Sequence, residues 1–379
     1  MAKKNKTLPK NFKDIVKDND LNALKAVFDK CDINAYERYG SNTALFFRNV
    51  STDFVHWLVE QGANIHYQNT FGNTPLSQQV QYKSNRKWAD LTNELLNTNI
   101  IYDNDNSDVI ELLIHLGSNL EPKTGYLPLE EACRSLNVDA VKILLEHGAN
   151  PLGRIDKYSR YPLEKALYQF APIPETLEIS ELLLRLDTPI TETMQEYITV
   201  MGKRFEENKL DPNKDAYQEY RIRESQPIMQ KLYCLFGVNP VKQRVIHDGV
   251  SPIIFEDSSD SEKEFSRLWD YLVPVSGSAK TMQGEVIRIT GKIADELYRN
   301  GGRNWNQEYQ KMLDSLMFYF QSAKALSSAQ LADAQLSKKH IYHGNYKFFD
   351  ESLKLKNLAL LWVTDNPNPI KLSLPNYKL

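Results

Sequence analysis

Gln283, Glu285 and Arg288 are the one compact polar group in the sequence whose types suit chemistry. An amide, a carboxylate and a guanidinium within two turns of a helix could hold an anion or serve acid–base work. The simpler reading stands beside it: Glu285 and Arg288 form an ion pair, within the helix, where residues three apart face each other, or between helices. Other candidates lose on spacing. Gly277-Ser-Ala-Lys-Thr281 ends like a phosphate-binding loop, but the two glycines that motif needs are Ala279 and Pro274. His340 and His343, with Asp350 nearby, have a metal-like spacing and read as surface histidines. Cys31, Cys133 and Cys234 are far apart and read as small buried or half-buried fillers. No nucleophile elbow is present. The expectation is therefore no catalytic residue, no metal and no cofactor, with Gln283, Glu285 and Arg288 kept as a polar site.

Composition narrows the class. The 379 residues are 41% hydrophobic and 25% charged, as in a folded protein. Lys plus Arg is 46 and Asp plus Glu is 49, a net charge of −3 that gives no reason to expect nucleic-acid binding. No run approaches the ~20 apolar residues that cross a bilayer. The first nine residues are basic without an apolar segment behind them, so they read as a short tail and not a secretion signal, and the expected location is cytoplasmic.

The elements that carry these residues begin with a repeat. Phe54–Ile65, Val109–Leu120, Ala140–Pro151 and Ile179–Ile190 align, each with apolar pairs four apart on one helix face, and Ala23–Asn34 fits more loosely. Gly62, Gly117 and Gly148 follow three of these helices, where a left-handed residue closes the last turn. Cys31 and Asp187 hold that place in the end repeats. Upstream of four of the helices recur Ser41-Asn-Thr-Ala-Leu45, Gly72-Asn-Thr-Pro-Leu76, Gly125-Tyr-Leu-Pro-Leu129 and Ser159-Arg-Tyr-Pro-Leu163. Proline suits the first helical position, and Thr74 can cap its turn. The unit is turn, helix, turn, helix.

This pattern resembles the ankyrin repeat, most closely in Gly72-Asn-Thr-Pro-Leu76 and Gly148-Ala-Asn150. The family's histidine after the leucine is replaced by Phe46, Ser77, Glu130 and Glu164, so the resemblance carries over the fold but not the hydrogen bonds that histidine makes between repeats. The ends at 31, 62, 117, 148 and 187 follow a period near ~33 residues, with an insertion of about two dozen residues before 117 and a shorter one around 171–176. The insertion, about 84–107, carries Trp88, Leu91 and Leu95 at helical spacing and reads equally as a protruding helix or a tolerated loop. The resemblance implies an all-α solenoid of about five repeats that binds a protein partner through its turn tips and first helices. The residues expected at that surface are Tyr36, Arg38, Tyr39, Tyr67, Phe71, Trp88, Tyr126, Tyr158 and Arg160, aromatic and arginine side chains being common at binding hot spots.

Beyond residue 190 the repeat fades. Residues 10–199 are expected as the ankyrin-repeat domain, 200–255 as a helical connector or degenerate repeat, and 256–379 as a second helical domain. Leu235-Phe-Gly-Val-Asn-Pro240 has the form of one more repeat end, and Phe255–Glu264 reads as an acidic, solvated loop leading into a helix. Phe265, Leu268, Trp269 and Leu272 line one face of the next helix. Val286, Ile289, Ile293 and Leu297 line the following one, on which Gly284 and Gly291 share a face and predict a segment packed close to the backbone. Trp305 to Phe320 and two later segments complete the helical set. Ser276–Trp305, with Thr-x-Gln-Gly-Glu-x-x-Arg and Arg-Asn-Gly-Gly, resembles a stretch of uncharacterised bacterial proteins, some with ankyrin repeats. That resemblance points to a bacterial source and by itself implies no chemistry. An ankyrin slab, a second helical domain and no catalytic constellation make the sharper expectation an immunity-type protein that binds and blocks a partner such as a toxin. An enzyme with its site in 240–379, or a scaffold acting on host proteins, is the alternative; the oligomeric state stays open.

Overall fold

The computed structural model describes residues 4–82, 106–153, 160–168, 173–211, 213–255 and 260–378. The chain divides into two compact units, Met1–Phe205 with Lys214–Val241, and Glu206–Asn213 with Lys242–Leu379. Both are helical; two short strands are the whole of the sheet structure among the described residues.

In the first unit the helices come in pairs. They are α1 (Phe12–Asp18) and α2 (Leu21–Lys30), then a 3₁₀ turn at Ala44–Phe46 and α3 (Thr52–Glu60). Next come α4 (Pro75–Gln79) and α5 (Ser107–His115), α6 (Pro128–Arg134) and α7 (Val138–Glu146), and α8 (Pro162–Tyr168) and α9 (Ile173–Leu184). A final pair, α10 (Glu192–Leu210), which belongs to this unit as far as Phe205, and α11 (Ala216–Phe236), is longer. First members pack in one row, α4 on α6 on α8; second members pack in another, α2 on α3, α5, α7, α9 and then α11. Each helix buries its apolar stripe only against its neighbours, as solenoid repeats do.

Local signals set the helix ends. Thr74 and Ser77 form a capping box around Pro75, and Ser51 and Asn137 cap α3 and α7. Gly62, Gly117 and Gly148 have φ of 92°, 94° and 88°, with open space where a Cβ would stand, so conformation and not crowding demands glycine there. Asp187 reaches φ 59° without being glycine, whereas Cys31 is extended and leads straight into a strand. That strand, β2 (Cys31–Tyr36), pairs parallel with β1 (Asn5–Thr7), so part of the stretch expected as a free basic tail is bound to the first repeat. Lys4 Nζ donates to Phe28 O at 2.8 Å and Leu8 is buried.

The missing histidines are replaced by amides. Gln79 Nε2 donates to the carbonyls of Leu45 and Phe47, both at 2.9 Å. Asn106 Nδ2 donates to Gln79 O at 2.8 Å and Asn137 Nδ2 to Val80 O at 2.9 Å. Each amide satisfies carbonyls that a short first helix leaves unpaired. At the histidine positions themselves Phe46 is buried in apolar contact, Ser77 closes its own cap, and Glu164 accepts from Thr191 Oγ1 at 2.7 Å.

The first core does not stop at residue 199. Met201, Phe205, Met229, Leu232, Tyr233 and Phe236 belong to it, and Gly237, at φ 64°, caps α11 as the earlier glycines cap theirs. Cys234, expected as a filler, is exposed, because Leu232, Tyr233 and Phe236 take the inward face of the last turn; Cys31 and Cys133 are buried.

In the second unit α13 (Met282–Arg299) is buried along most of its length and packs against α12 (Ser261–Leu272), α14 (Gln307–Phe320) and α16 (Phe349–Asp365), with α15 (Ser328–Ile341) on α16. Its two glycines meet α12, as their shared face predicts. A Cβ on Gly284 would stand 2.7 Å from Leu272 O, and one on Gly291 would enter the Trp269 ring. Residues 366–378 then run back along the start of α13. Met282 N donates to Ile370 O at 2.8 Å, and Thr281 bridges Lys371.

Candidate functional site

Three successive turn tips of the first unit are joined by their backbones. Thr70 N donates to Gly40 O at 3.0 Å and Tyr126 N donates to Gly72 O at 3.2 Å. Glycine makes this approach possible. A Cβ on Gly40 would lie 2.9 Å from the Phe71 ring, and Gly125, at φ 81°, sits against the carbonyl of Gly72. Each tip then presents one exposed aromatic side chain. Tyr39 is 81% exposed, Phe71 51% and Tyr126 47%. The rings of Tyr39 and Phe71 are 5.9 Å apart, and the Tyr126 ring lies by Gly72. A row of rings on a hydrogen-bonded backbone loses little conformational entropy on binding, which suits it to anchor a partner.

The other tip residues fall around this row. Tyr36 and Tyr67 are half-buried, Tyr67 with its ring edge-on to Phe46 at 6.2 Å; Arg38 is exposed. Arg160 is exposed but engaged, donating to Tyr197 Oη at 3.0 Å and lying 5.6 Å from the Tyr168 ring. Trp88 and Tyr158, and the insertion up to residue 105, lie outside the described residues.

Sequence reasoning missed the ends of the first helices. Gln81, Arg134 and Tyr168 each stand five residues after the leucine of their turn signal. Gln81 Nε2 and the Arg134 guanidinium converge on the Glu131 carboxylate, and the hydrogen bond that Arg134 donates to Glu131 is the largest influence raising Arg134 above its ordinary range. Tyr168 is exposed beside Tyr197. Counting from the leucine would have put all three on one register.

Gln283, Glu285 and Arg288 do come together, in the interior of the second unit. Their exposures are 0%, 0% and 2%. Arg288 donates to both oxygens of Glu285, at 2.9 and 2.6 Å. Tyr377 Oη donates to Glu285 Oε1 at 2.7 Å and Ala279 N to Oε2 at 2.9 Å. Gln283 Nε2 donates to Asn366 O and Asn368 O and its Oε1 accepts from Ile370 N at 3.1 Å. Burial pushes the Tyr377 hydroxyl far above its usual range, and the Glu285 charge pushes it further, so it stays a donor. Arrayed this way, the group binds its own chain's returning segment.

His340 and His343 diverge. The His340 ring lies on Phe348 with Nδ1 3.4 Å from Glu351, while His343 is exposed beside Tyr342. No group of three or more metal-ligating side chains occurs among the described residues, and no helix there is long and apolar enough to cross a membrane.

No curated protein matches the sequence. The tips, the paired helices and the glycine ends of the first unit meet in one finding: residues 43–154 match the family model of ankyrin repeats, in three copies, and that stretch is a protein-interaction module.

Proposed function

We propose that this chain captures one partner protein on the tip row of its first unit and acts by covering it. The observation that carries this reading is the succession Tyr39, Phe71, Tyr126: three exposed rings on tips held by backbone hydrogen bonds. Aromatic anchors with a rigid base are what binding hot spots are made of. The finer reading is an immunity-type protein of a bacterial cytoplasm whose partner is a toxin. Its motive is an interaction module joined to a second helical unit and a mode of action, steric cover, that asks for no reacting group; the resemblance of residues 276–305 bears only on the bacterial source.

The test is affinity capture with the full chain, wild type against Tyr39→Ala, Phe71→Ala and Tyr126→Ala combined. The triple variant is expected to lose the captured partner. Capture undiminished by the three substitutions removes the tip row from the interface. For the immunity reading, co-expression with the product of the neighbouring gene is expected to rescue growth. A neighbouring product that is harmless alone overturns that reading and leaves the binding module standing.

A further inference from the structure

The second unit carries a groove of about 970 Å3 beside α12, α13 and α16. Four aromatic side chains, Trp269, Tyr298, Tyr309 and Phe349, line it together with charged and amide groups. Trp269 lies over the bare backbone of Gly291, and the Tyr298 and Phe349 rings are 5.3 Å apart.

The charged groups on the groove are almost all spoken for. Lys356 Nζ is 2.8 Å from Glu262, Arg299 Nε is 2.7 Å from Asp295, and Asp270 is 3.7 Å from Arg244. Glu296 accepts from Asn300 Nδ2 at 2.8 Å and from Asn304 N at 2.7 Å. Lys292 is different. It is half-buried on the groove, and no hydrogen bond or ion pair engages its ammonium. Burial, with Arg288 adding repulsion and Glu285 opposing, holds it below the ordinary lysine range. A partly desolvated ammonium without a counter-ion costs stability. An anion entering the groove would supply the missing charge. Concave sites that offer ring surface for stacking and a few placed polar groups are where small molecules bind.

We propose that this groove binds a small organic anion, its planar apolar body against Trp269 and its neighbouring rings and its carboxylate or phosphate on the Lys292 ammonium. The inference is independent of the tip row, which belongs to the other unit. Ring stacking supplies the contact area, and the charge-assisted hydrogen bond fixes orientation.

Trace acetylation of the full wild-type chain, with every lysine mapped by mass spectrometry, tests this with four probes: phenyl phosphate, benzoate, phenol and inorganic phosphate. Phenyl phosphate, benzoate or both are expected to slow acetylation of Lys292 several-fold and leave exposed lysines unchanged. Which of the two protects identifies the anionic group. Phenol and inorganic phosphate, each holding half of the required chemistry, are expected to protect little. By saturation-transfer NMR, Lys292→Met is expected to weaken binding of the protecting probe about tenfold, the loss of one charge-assisted contact. The proposal is overturned by equal labelling of Lys292 with and without both aromatic anions. It is equally overturned by inorganic phosphate protecting as well as phenyl phosphate, or by unchanged affinity in Lys292→Met.

Discussion

Glu285 was visible in the sequence as one of three polar residues on a helix, and its spacing to Arg288 announced the ion pair. What spacing could not announce was Tyr377, or the carbonyls of Asn366 and Asn368 that hold Gln283. Those partners arrive from a segment with no periodic pattern, so no local signal ties them to α13. Burial then decides the energetics. Removing one member of a buried pair strands the other charge, which costs about 3–5 kcal/mol. Glu285→Ala is expected to lower the stability of the second unit by that amount in urea unfolding. Replacing the pair together, Glu285→Met with Arg288→Met, is expected to recover much of the loss, since the desolvation of both charges disappears with them. A double variant as unstable as the single would show that Ala279 and Tyr377, not the charges, carry the cost. The cysteines give a second test at this scale. Burial pushes the Cys133 thiol far above its usual range and raises that of Cys31, where Lys4 opposes it. Only the thiolate reacts, so an aromatic disulfide reagent is expected to modify the exposed Cys234 in the folded chain and the other two only on unfolding.

Helices, their caps and the glycine ends were legible at the scale of elements because each is written within a few residues: Thr74 with Ser77, Asn137 with Ala140, Gly62 after α3. The amide ties between repeats were not, because Gln79 and the carbonyls of Leu45 and Phe47 meet only once the repeats stack. Nor was β1, whose three residues look like part of a basic tail until β2 lies beside them. The glycines of α13 show spacing and packing working together. Glycine inside a helix costs ~1 kcal/mol against alanine, so both positions would gain from a methyl group if there were room. Gly284 faces the backbone oxygen of Leu272, which cannot move without disturbing the end of α12. Gly291 faces the ring of Trp269, which borders an open groove and can swing. Gly284→Ala is therefore expected to destabilise by about 1–3 kcal/mol. Gly291→Ala is expected to be milder, with a shift in tryptophan emission as the ring moves. Thermal or urea unfolding compares the two, and a Gly291 variant costlier than the Gly284 variant would contradict this ranking.

On the scale of the whole molecule, the two hydrophobic cores share no residue. The first ends in Phe236 and the second begins with Ile253. Such a division predicts two unfolding steps, and two-state analysis would misread their sum. Substitutions that act through one core should then move one step. Gln79→Ala leaves the carbonyls of Leu45 and Phe47 without their donor, at about 1–3 kcal/mol for each buried group unsatisfied; it is expected to shift the step of the first unit alone. Glu285→Ala should shift the other. The tip substitutions Tyr39→Ala, Phe71→Ala and Tyr126→Ala touch exposed side chains, where changes usually stay within about 0.5 kcal/mol. Their combination should leave both steps nearly in place while partner capture is lost. Calorimetry of the full chain reads the two steps, and the same preparations go into the capture assay. A tip variant that lost capture only along with the first step would make the rings part of the solenoid's stability. Loss of capture with both steps intact would make them the part of the solenoid that stability does not need, and therefore the part that a partner explains.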